Sequence, residues 1–229
     1  MSPPATPVDD TRGLPAAPEV VQIEVGLLQN FCEILFCPTT REAAIVDPAW
    51  EVDRLLREAD ARGLHVTTAL VTHTHEDHVE GVEELVRKTG AAVVVSPREA
   101  AHVGAPAGAR LVDATDGRDV AIGRCGVRVL DTPGHTVGGT SYLADGFVVT
   151  GDVLFVGGCG RTDFVGGDTA EMWKSLQRLM RLPEETRVYP GHDYGDTPTS
   201  TIAHEIRTNR FMRCATFEEF RALRERKRA

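Results

Sequence analysis

One hexapeptide constrains this chain more than any other feature: His73-Thr74-His75-Glu76-Asp77-His78 follows directly on the β-rich run His65 to Thr72. Three histidines and an aspartate in six residues do not suit a hydrophobic core, where ionisable groups are rare unless paired or ligating. On an extended segment His73 and His75 project to one side, and Asp77 and His78 open the next turn. The string can therefore present two sets of ligands. Imidazole nitrogen with carboxylate oxygen suits zinc, iron or manganese, whereas calcium draws mostly oxygen.

The same setting recurs downstream. The run Val127 to Leu130 leads to Asp131-Thr132-Pro133-Gly134-His135, Phe147 to Thr150 leads to Gly151-Asp152, and Arg187 to Tyr189 leads to Pro190-Gly191-His192. Four β-rich runs thus end in candidate ligands, three of them preceded by glycine, and Gly134 lets its turn approach a neighbour closely. Groups on loops held by strand ends converge readily at one edge of a sheet. A lone aspartate or histidine in a turn is usually structural; four such ends together point to a metal cage. Asp47, in the strand-ending Val46-Asp47-Pro48, is either a turn former or a support for the ligands. His65, His102 and His204 lack this context and read as surface or locally satisfied residues.

Around these loops, short β-rich runs alternate with helical stretches, which predicts an α/β or α+β fold. Ile34 to Phe36 and Ala43 to Val46 read as strands. Val52, Leu55, Leu56 and Ala59 share one face of a helix over Val52 to Arg62 that Gly63 ends. A helix through Val82, Leu85 and Val86 ends at Gly90. Further strands are predicted at Ala91 to Ser96, Val120 to Ile122 with Val127 to Leu130 as a hairpin, Thr140 to Leu143, Phe147 to Thr150 and Arg187 to Tyr189. Helices are expected over Thr169 to Leu182 and from Phe217 onward.

At 229 residues the chain suits one large domain, since single cores commonly grow to ~200 to 250 residues. Residues 1–19, with five prolines before Glu19, read as a flexible lead-in without the marks of a secretory signal or transit peptide, and residues 20–229 as the domain. A formal charge of −9 disfavours nucleic acid and anionic membranes as partners. The basic run Arg221 to Arg228 is diluted by Glu218, Glu219 and Glu225 and reads as a solvated helix face. No apolar run approaches the ~20 residues of a membrane-spanning helix. Five cysteines without a C-x-x-C pair suit a reducing cytosol.

In order, His73-Thr-His75-Glu-Asp77-His78, Thr132-Pro-Gly-His135-Thr136, Thr150-Gly-Asp152 and Pro190-Gly-His192 resemble the metallo-β-lactamase superfamily pattern. The resemblance implies an αββα sandwich of two mixed β-sheets flanked by helices, with metal at one edge. It implies that His73, His75, His135 and Asp152 line one metal position, and Asp77, His78, His192 and Asp152 the other. Asp77 is then also the candidate catalytic residue.

Two branches acting on glutathione derivatives compete. Persulfide dioxygenases resemble this chain through Gly157-Gly-Cys159-Gly-Arg161-Thr-Asp163-Phe164 and His192-Asp-Tyr194, followed by Ser200-Thr201, Glu205 and Asn209. That likeness implies a single iron(II) at His73, His135 and Asp152, with the other ligand-type residues orienting ligands and solvent. Glyoxalase II, a thiolester hydrolase with a zinc or mixed dinuclear centre, is the alternative; a metal there lowers the pKa of bound water and polarises the carbonyl. The 37 residues after His192 are fewer than the helical glutathione-binding domain usual in that hydrolase. Gln29-Asn30-Phe31-Cys32 and Asn209-Arg210 depart from the standard dioxygenase text.

Arg161 and Tyr194 are the substrate-binding candidates, Arg161 as a planar cation for a glutathione carboxylate. A structural Arg161–Asp163 ion pair, and a Tyr194 that only supports His192, are the alternatives. Cys159 reads as packing within a glycine-rich loop. The favoured reading is a cytosolic enzyme on a small thiol derivative, with a homo-oligomer possible and a non-catalytic metal-binding module the remote alternative.

Overall fold

The computed structural model describes residues 10–225; the first part of the lead-in and the last residues of the basic run, 226–229, lie outside them. Two six-stranded sheets stack face to face. The first contains β1 (Glu19–Val25), β2 (Asn30–Phe36), β3 (Glu42–Val46), β4 (His65–Leu70), β5 (Ala92–Val95) and β6 (Leu111–Asp113) in that spatial order. Strands β1 to β3 are antiparallel, and β3 to β6 parallel. The second sheet has the order β12-β11-β10-β9-β8-β7. Its strands are β7 (Asp119–Ile122), β8 (Cys125–Asp131), β9 (Thr140–Ala144), β10 (Phe147–Gly151), β11 (Arg187–Pro190) and β12 (Ser200–Thr201). All its pairs are antiparallel except β10 with β11.

Three apolar seams separate four layers. Helices α1 (Val52–Asp60) and α3 (Val82–Thr89) lay Val52, Leu55, Val82 and Leu85 against Ile34, Ile45 and Val93 of the first sheet. Between the sheets, Leu35, Ala44, Leu70 and Val94 meet Val127, Val129, Tyr142 and Val149. Beyond the second sheet lie α4 (Thr169–Leu179), α5 (Ile202–Thr208) and α6 (Phe217–Glu225), with Met172, Leu176, Ile202 and Phe220 on Leu143, Val148 and Val188. Every residue of β2 is buried, because alternate side chains serve a helix layer and the inter-sheet seam, as Ile34 and Leu35 do. This is the αββα arrangement that the resemblance implies.

The sheets are tied where the ligand loops leave them. Tyr142 Oη donates to the Val71 carbonyl (2.8 Å), Thr140 N to the Thr72 carbonyl (2.8 Å), and Phe31 N to the Gly191 carbonyl (2.9 Å). The N-terminal end of the described chain also packs on the body: Arg178 of α4 donates to both Asp10 carboxylate oxygens at 2.8 and 2.7 Å and to Asp116 at 2.5 Å.

The periodicity places α1 and α3 well, and left-handed Gly63 and Gly90 follow them as expected. Helix α4 stops at Leu179, short of Leu182; Pro183 follows, and the backbone before a proline is driven away from the helical region. Strands β1, β6 and β12 and helix α5 are additions to the sequence reading.

Candidate metal centre

The hexapeptide leaves β4 as an extended loop and enters a single turn of helix, α2 (Glu76–Val79), so His73 and His75 come from the loop and Asp77 and His78 from the turn. His135 follows β8, Asp152 follows β10, and His192 follows β11. All seven meet at one edge of the sandwich. Donor atoms of His73, His75 and His135 lie within 4.8 Å of one another, as do those of Asp77, His78 and His192. Asp152 stands between the two groups: Oδ2 is 3.4 Å from His135 Nε2 and 3.5 Å from His192 Nε2, and Oδ1 is 3.4 Å from His78 Nε2.

Close approach needs glycine here. A Cβ at Gly134 would sit 2.3 Å from the Met172 nitrogen of α4, and one at Gly191 2.6 Å from Asp152 Oδ1. Gly134 thus plays the part its sequence position suggests.

The outer nitrogen of each buried ring is committed, and its partner decides the tautomer. His135 Nδ1 lies 2.6 Å from the Arg161 carbonyl oxygen and His192 Nδ1 2.9 Å from that of Leu28. A carbonyl only accepts, so each Nδ1 donates, and in the neutral ring Nε2 turns a bare lone pair inward. His78 Nδ1 donates in the same way to Asp47 Oδ2 at 2.9 Å. The Thr72 hydroxyl spends its proton on Asp47 Oδ2 (2.5 Å), which leaves its oxygen to accept from His73 Nδ1 at 3.0 Å. His135 Nε2 and His75 Nδ1 face each other at 3.0 Å, and His78 Nε2 and His192 Nε2 at 3.2 Å, so each pair holds a proton or another positive charge between its nitrogens.

Two further observations fit a cation. His73 Nε2 and Asp152 Oδ1 are buried without a hydrogen-bond partner, a costly state that ligation relieves. Burial would raise the Asp152 pKa, yet His78, His192 and His73 hold it well below the ordinary carboxylate range. Burial opposes charge on His78, but Asp152, Asp47 and Asp77 still pull its pKa up to about 9; the site draws positive charge. His73 is pushed far down, first by burial and then by His78, and stays neutral. Nitrogen and carboxylate donors in this set suit zinc or iron. A third grouping, Asp47 with His73 and His78, is a hydrogen-bond junction, since both Asp47 oxygens are engaged by Thr72 N, Thr72 Oγ1 and His78 Nδ1.

Several supports escape a reading of side-chain types. Asn30 Nδ2 donates to the Asp77 carbonyl (2.9 Å) and to Asp77 Oδ2 (3.1 Å); its segment shows in the sequence only as a departure from the dioxygenase text. Buried Glu99 accepts from Thr74 N (2.7 Å), Thr74 Oγ1 (3.0 Å) and Gly138 N (2.8 Å), tying the loop of His73 and His75 to that of His135. Nothing in the sequence around Glu99 marks it. Glu205 and Asn209, named by the family resemblance, are fully buried and hold the glycine-rich loop. Glu205 accepts from Gly157 N (2.9 Å) and Asn209 Nδ2 (2.8 Å), and Asn209 donates to the Gly158 carbonyl (2.9 Å).

At the mouth, the exposed Arg161 side chain forms a two-bond pair with Asp163, 2.8 Å each, and lies 4.3 Å over the Phe164 ring. Its backbone carbonyl, not its guanidinium, touches His135. Tyr194 stacks on His192 with ring centres 4.4 Å apart. Cys159 is buried and its thiol is pushed up to about 12 by that burial, which fits packing. His65, His102 and His204 are exposed and stand apart from the cluster.

Comparison with known proteins agrees with this geometry. Hydroxyacylglutathione hydrolase of Methylobacillus flagellatus is 43% identical over 155 residues, 66% of this chain but only 58% of that protein, so the chain spans under two thirds of that relative's length. A probable polyketide biosynthesis zinc-dependent hydrolase, BaeB of Bacillus velezensis, is 32% identical over 212 residues, 91% of this chain and 94% of its own. Among solved structures, ETHE1 from Myxococcus xanthus superposes with a TM-score of 0.82 at 37% identity, covering 91% of this chain and 90% of that one. The profile of the metallo-β-lactamase superfamily matches residues 33–192, from β2 to the last of the seven ligand-type residues, and this chain belongs to that superfamily.

Proposed function

We propose that this protein is a metal-dependent enzyme that oxidises the persulfide of a small thiol, glutathione being the thiol implied by the family resemblance, with dioxygen and water to give sulfite and the free thiol. The observation that carries the reading is the placement of the 157–164 loop. It fixes His135 through the Arg161 carbonyl and lays Phe164 edge-on to His75 and His135, with ring centres 5.4 and 6.0 Å away. The near end-to-end match to the Myxococcus xanthus structure supports it.

On this reading His73, His135 and Asp152 hold one iron(II). Ferrous iron on two histidines and a carboxylate supplies redox capacity and open positions for sulfur and oxygen. The chain's own groups orient and shield. Phe164 limits water on one side of the centre, and Tyr194 caps His192 on the other. Asp77 Oδ2, held by Asn30 and within 3.4 to 3.5 Å of His192 Nε2 and His78 Nε2, is placed to take a proton from water at the centre. We place the enzyme in the cytosol, consistent with five free cysteines.

A second reading, hydrolysis of a thiolester with two metals, draws on two observations. The triad of Asp77, His78 and His192 is as complete as the triad of His73, His75 and His135, and the zinc-dependent hydrolase matches end to end.

Metal analysis of anaerobically purified protein, with oxygen uptake measured on the same sample, separates the two. About one iron per chain, with sulfite formed from glutathione persulfide and activity lost in His135→Ala, is expected. Two zinc per chain, no oxygen uptake and cleavage of a glutathione thiolester would overturn the dioxygenase and establish the hydrolase.

A further inference from the structure

Arginines gather along the 157–164 loop. Asn209 donates to the Gly158 carbonyl at 2.9 Å, and Arg210 and Phe211 follow it directly in the chain. The guanidinium carbons of Arg210 and Arg224 lie 4.8 and 5.2 Å from the centre of the buried Phe211 ring. Arg224 also reaches the loop itself, with Nη1 3.7 Å from Cys159 Sγ. Burial raises the Cys159 thiol, and Arg224 and then Arg210 pull against it, so both charges lie close to this one side chain. Gly160, the next residue, donates to the Asp152 carbonyl at 2.8 Å, and a Cβ on it would stand 2.9 Å from His135 Nδ1. The cations and the metal centre are thus served by adjacent residues of one loop.

Little within the chain answers these charges. Arg161 spends two of its five N–H donors on Asp163 and keeps three. Among the described residues neither Arg210 nor Arg224 forms an ion pair, although the chain has 34 acidic side chains to 25 basic ones. Arg224 Nε is buried without a hydrogen-bond partner, a costly state for a charged group. Arg224 belongs to the basic run Arg221 to Arg228, so this member of the run turns inward. With Arg161 and Asp163 cancelling, two positive charges remain beside the loop. A phosphate monoester, with a charge of about −1.5 to −2 at pH 7 and several acceptor oxygens, matches two unpaired guanidinium forks. Glutathione holds its two carboxylates at opposite ends of a tripeptide, one of them beside an ammonium, and offers no such compact dianion.

We infer that Arg210 and Arg224, with Arg161 on the same loop, form a subsite for a phosphate ester, and that the thiol substrate carries this group at the end remote from its sulfur. The inference deepens the proposed function and rests on the reading of this centre as the place of reaction.

The test uses the metal-loaded protein and three persulfides made in situ, those of glutathione, pantetheine and phosphopantetheine. The last two differ only by a phosphate monoester. Equilibrium binding of the S-methyl thioethers of the pantetheine pair is measured in parallel, which reads recognition apart from turnover. The phosphate is expected to raise kcat/KM and thioether affinity about 10- to 100-fold, and to put phosphopantetheine persulfide ahead of glutathione persulfide. The gain is expected to shrink in Arg224→Gln and in Arg210→Gln, the latter at an exposed position where folding is not at risk, and to weaken at high salt. A phosphate preference that survives both substitutions overturns the assignment to these arginines. Equal turnover and binding of the pantetheine pair, or glutathione persulfide ahead of both, overturns the inference and leaves the proposed reaction standing. No oxygen uptake with any persulfide, but thioether binding that favours the phosphate and loses that preference in Arg210→Gln, overturns the reaction and keeps the subsite.

Discussion

Replacing Asp47 by asparagine tests the tautomer chain that orients the centre. The asparagine side chain keeps the size of the aspartate and tolerates the left-handed backbone at this position, φ 43°. Its amide oxygen still accepts from Thr72 N, where Asp47 Oδ1 now sits at 2.7 Å. The amide nitrogen then replaces Oδ2 and can only donate. The Thr72 hydroxyl, 2.5 Å away, must turn round and give its proton to His73 Nδ1. His78 Nδ1, 2.9 Å away, meets a donor and must shed its own proton. Both rings then carry the proton on Nε2, the atom that faces the centre, and one ring belongs to each triad. Removing a partner that orients a ligating histidine lowers metal affinity about 10- to 100-fold, or roughly 1.4 to 2.7 kcal/mol. With both triads affected, the upper end is expected. Competition against a chromophoric chelator gives the affinity, and far-UV circular dichroism checks that the variant is folded. A folded Asp47→Asn protein whose metal affinity stays within about twofold of wild type would refute the reasoning.

Three other perturbations have definite outcomes. Gly134→Ala forces a Cβ to 2.3 Å from the Met172 nitrogen at φ 132°; overpacking of about 1 to 3 kcal/mol should lower the melting temperature by about 4 to 10 °C, read by scanning fluorimetry, and an unchanged value would contradict the close approach. Glu33 is raised to about 8, by burial first and then by Asp47, so above the usual carboxylate pKa the folded state holds a proton that the unfolded state has lost. Wild-type stability therefore falls as pH rises from about 4.5 to 8, and denaturant titrations should show Glu33→Gln gaining on wild type by up to about 4 kcal/mol at pH 9, with the curves converging below pH 5. In Glu205→Gln the amide oxygen can keep Gly157 N and Asn209 Nδ2, now 2.9 and 2.8 Å from Oε2, and the amide NH2 turns to Ser200 Oγ, now 2.6 Å from Oε1, so these bonds lose the carboxylate charge. Loss of such a charge-assisted bond costs about 2 kcal/mol, and kcat/KM is expected to drop while metal content holds; metal loss with it would mean that the 157–164 loop anchors the ligands more firmly than its single link to His135 implies.

The candidate ligand set is legible in the sequence because it is repeated punctuation: a β-rich run, a turn, then His or Asp. His73, His78, His135 and His192 need no knowledge of the fold to be suspected, and Val52, Leu55 and Ala59 disclose α1 by spacing alone. What holds the ligands is less visible for a physical reason. Leu28 and Arg161 act through backbone carbonyls, which every residue possesses, so no side-chain pattern marks them. Glu99 resembles any surface glutamate until the 135–138 loop folds over it. Strands β6 and β12 have three and two residues, too few for a period of two to show. At Arg161 the sequence offers two readings, a carboxylate contact and an ion pair with Asp163, and the structure forms the ion pair.

The division of ligands between the sheets bears on how the protein comes into being. The segment 73–78 leaves the first sheet, and His135, Asp152 and His192 leave the second. A nascent chain released as far as β6 owns four of the seven groups and completes neither triad, because one lacks His135 and the other His192. Tight metal capture at His73, His135 and Asp152 thus waits until the ribosome has delivered residue 152 and the sheets have docked through Tyr142 and Thr140. The ion that serves the chemistry would then also be the last fastener inserted, reporting on an architecture already assembled and leaving half-made chains free of tightly held metal.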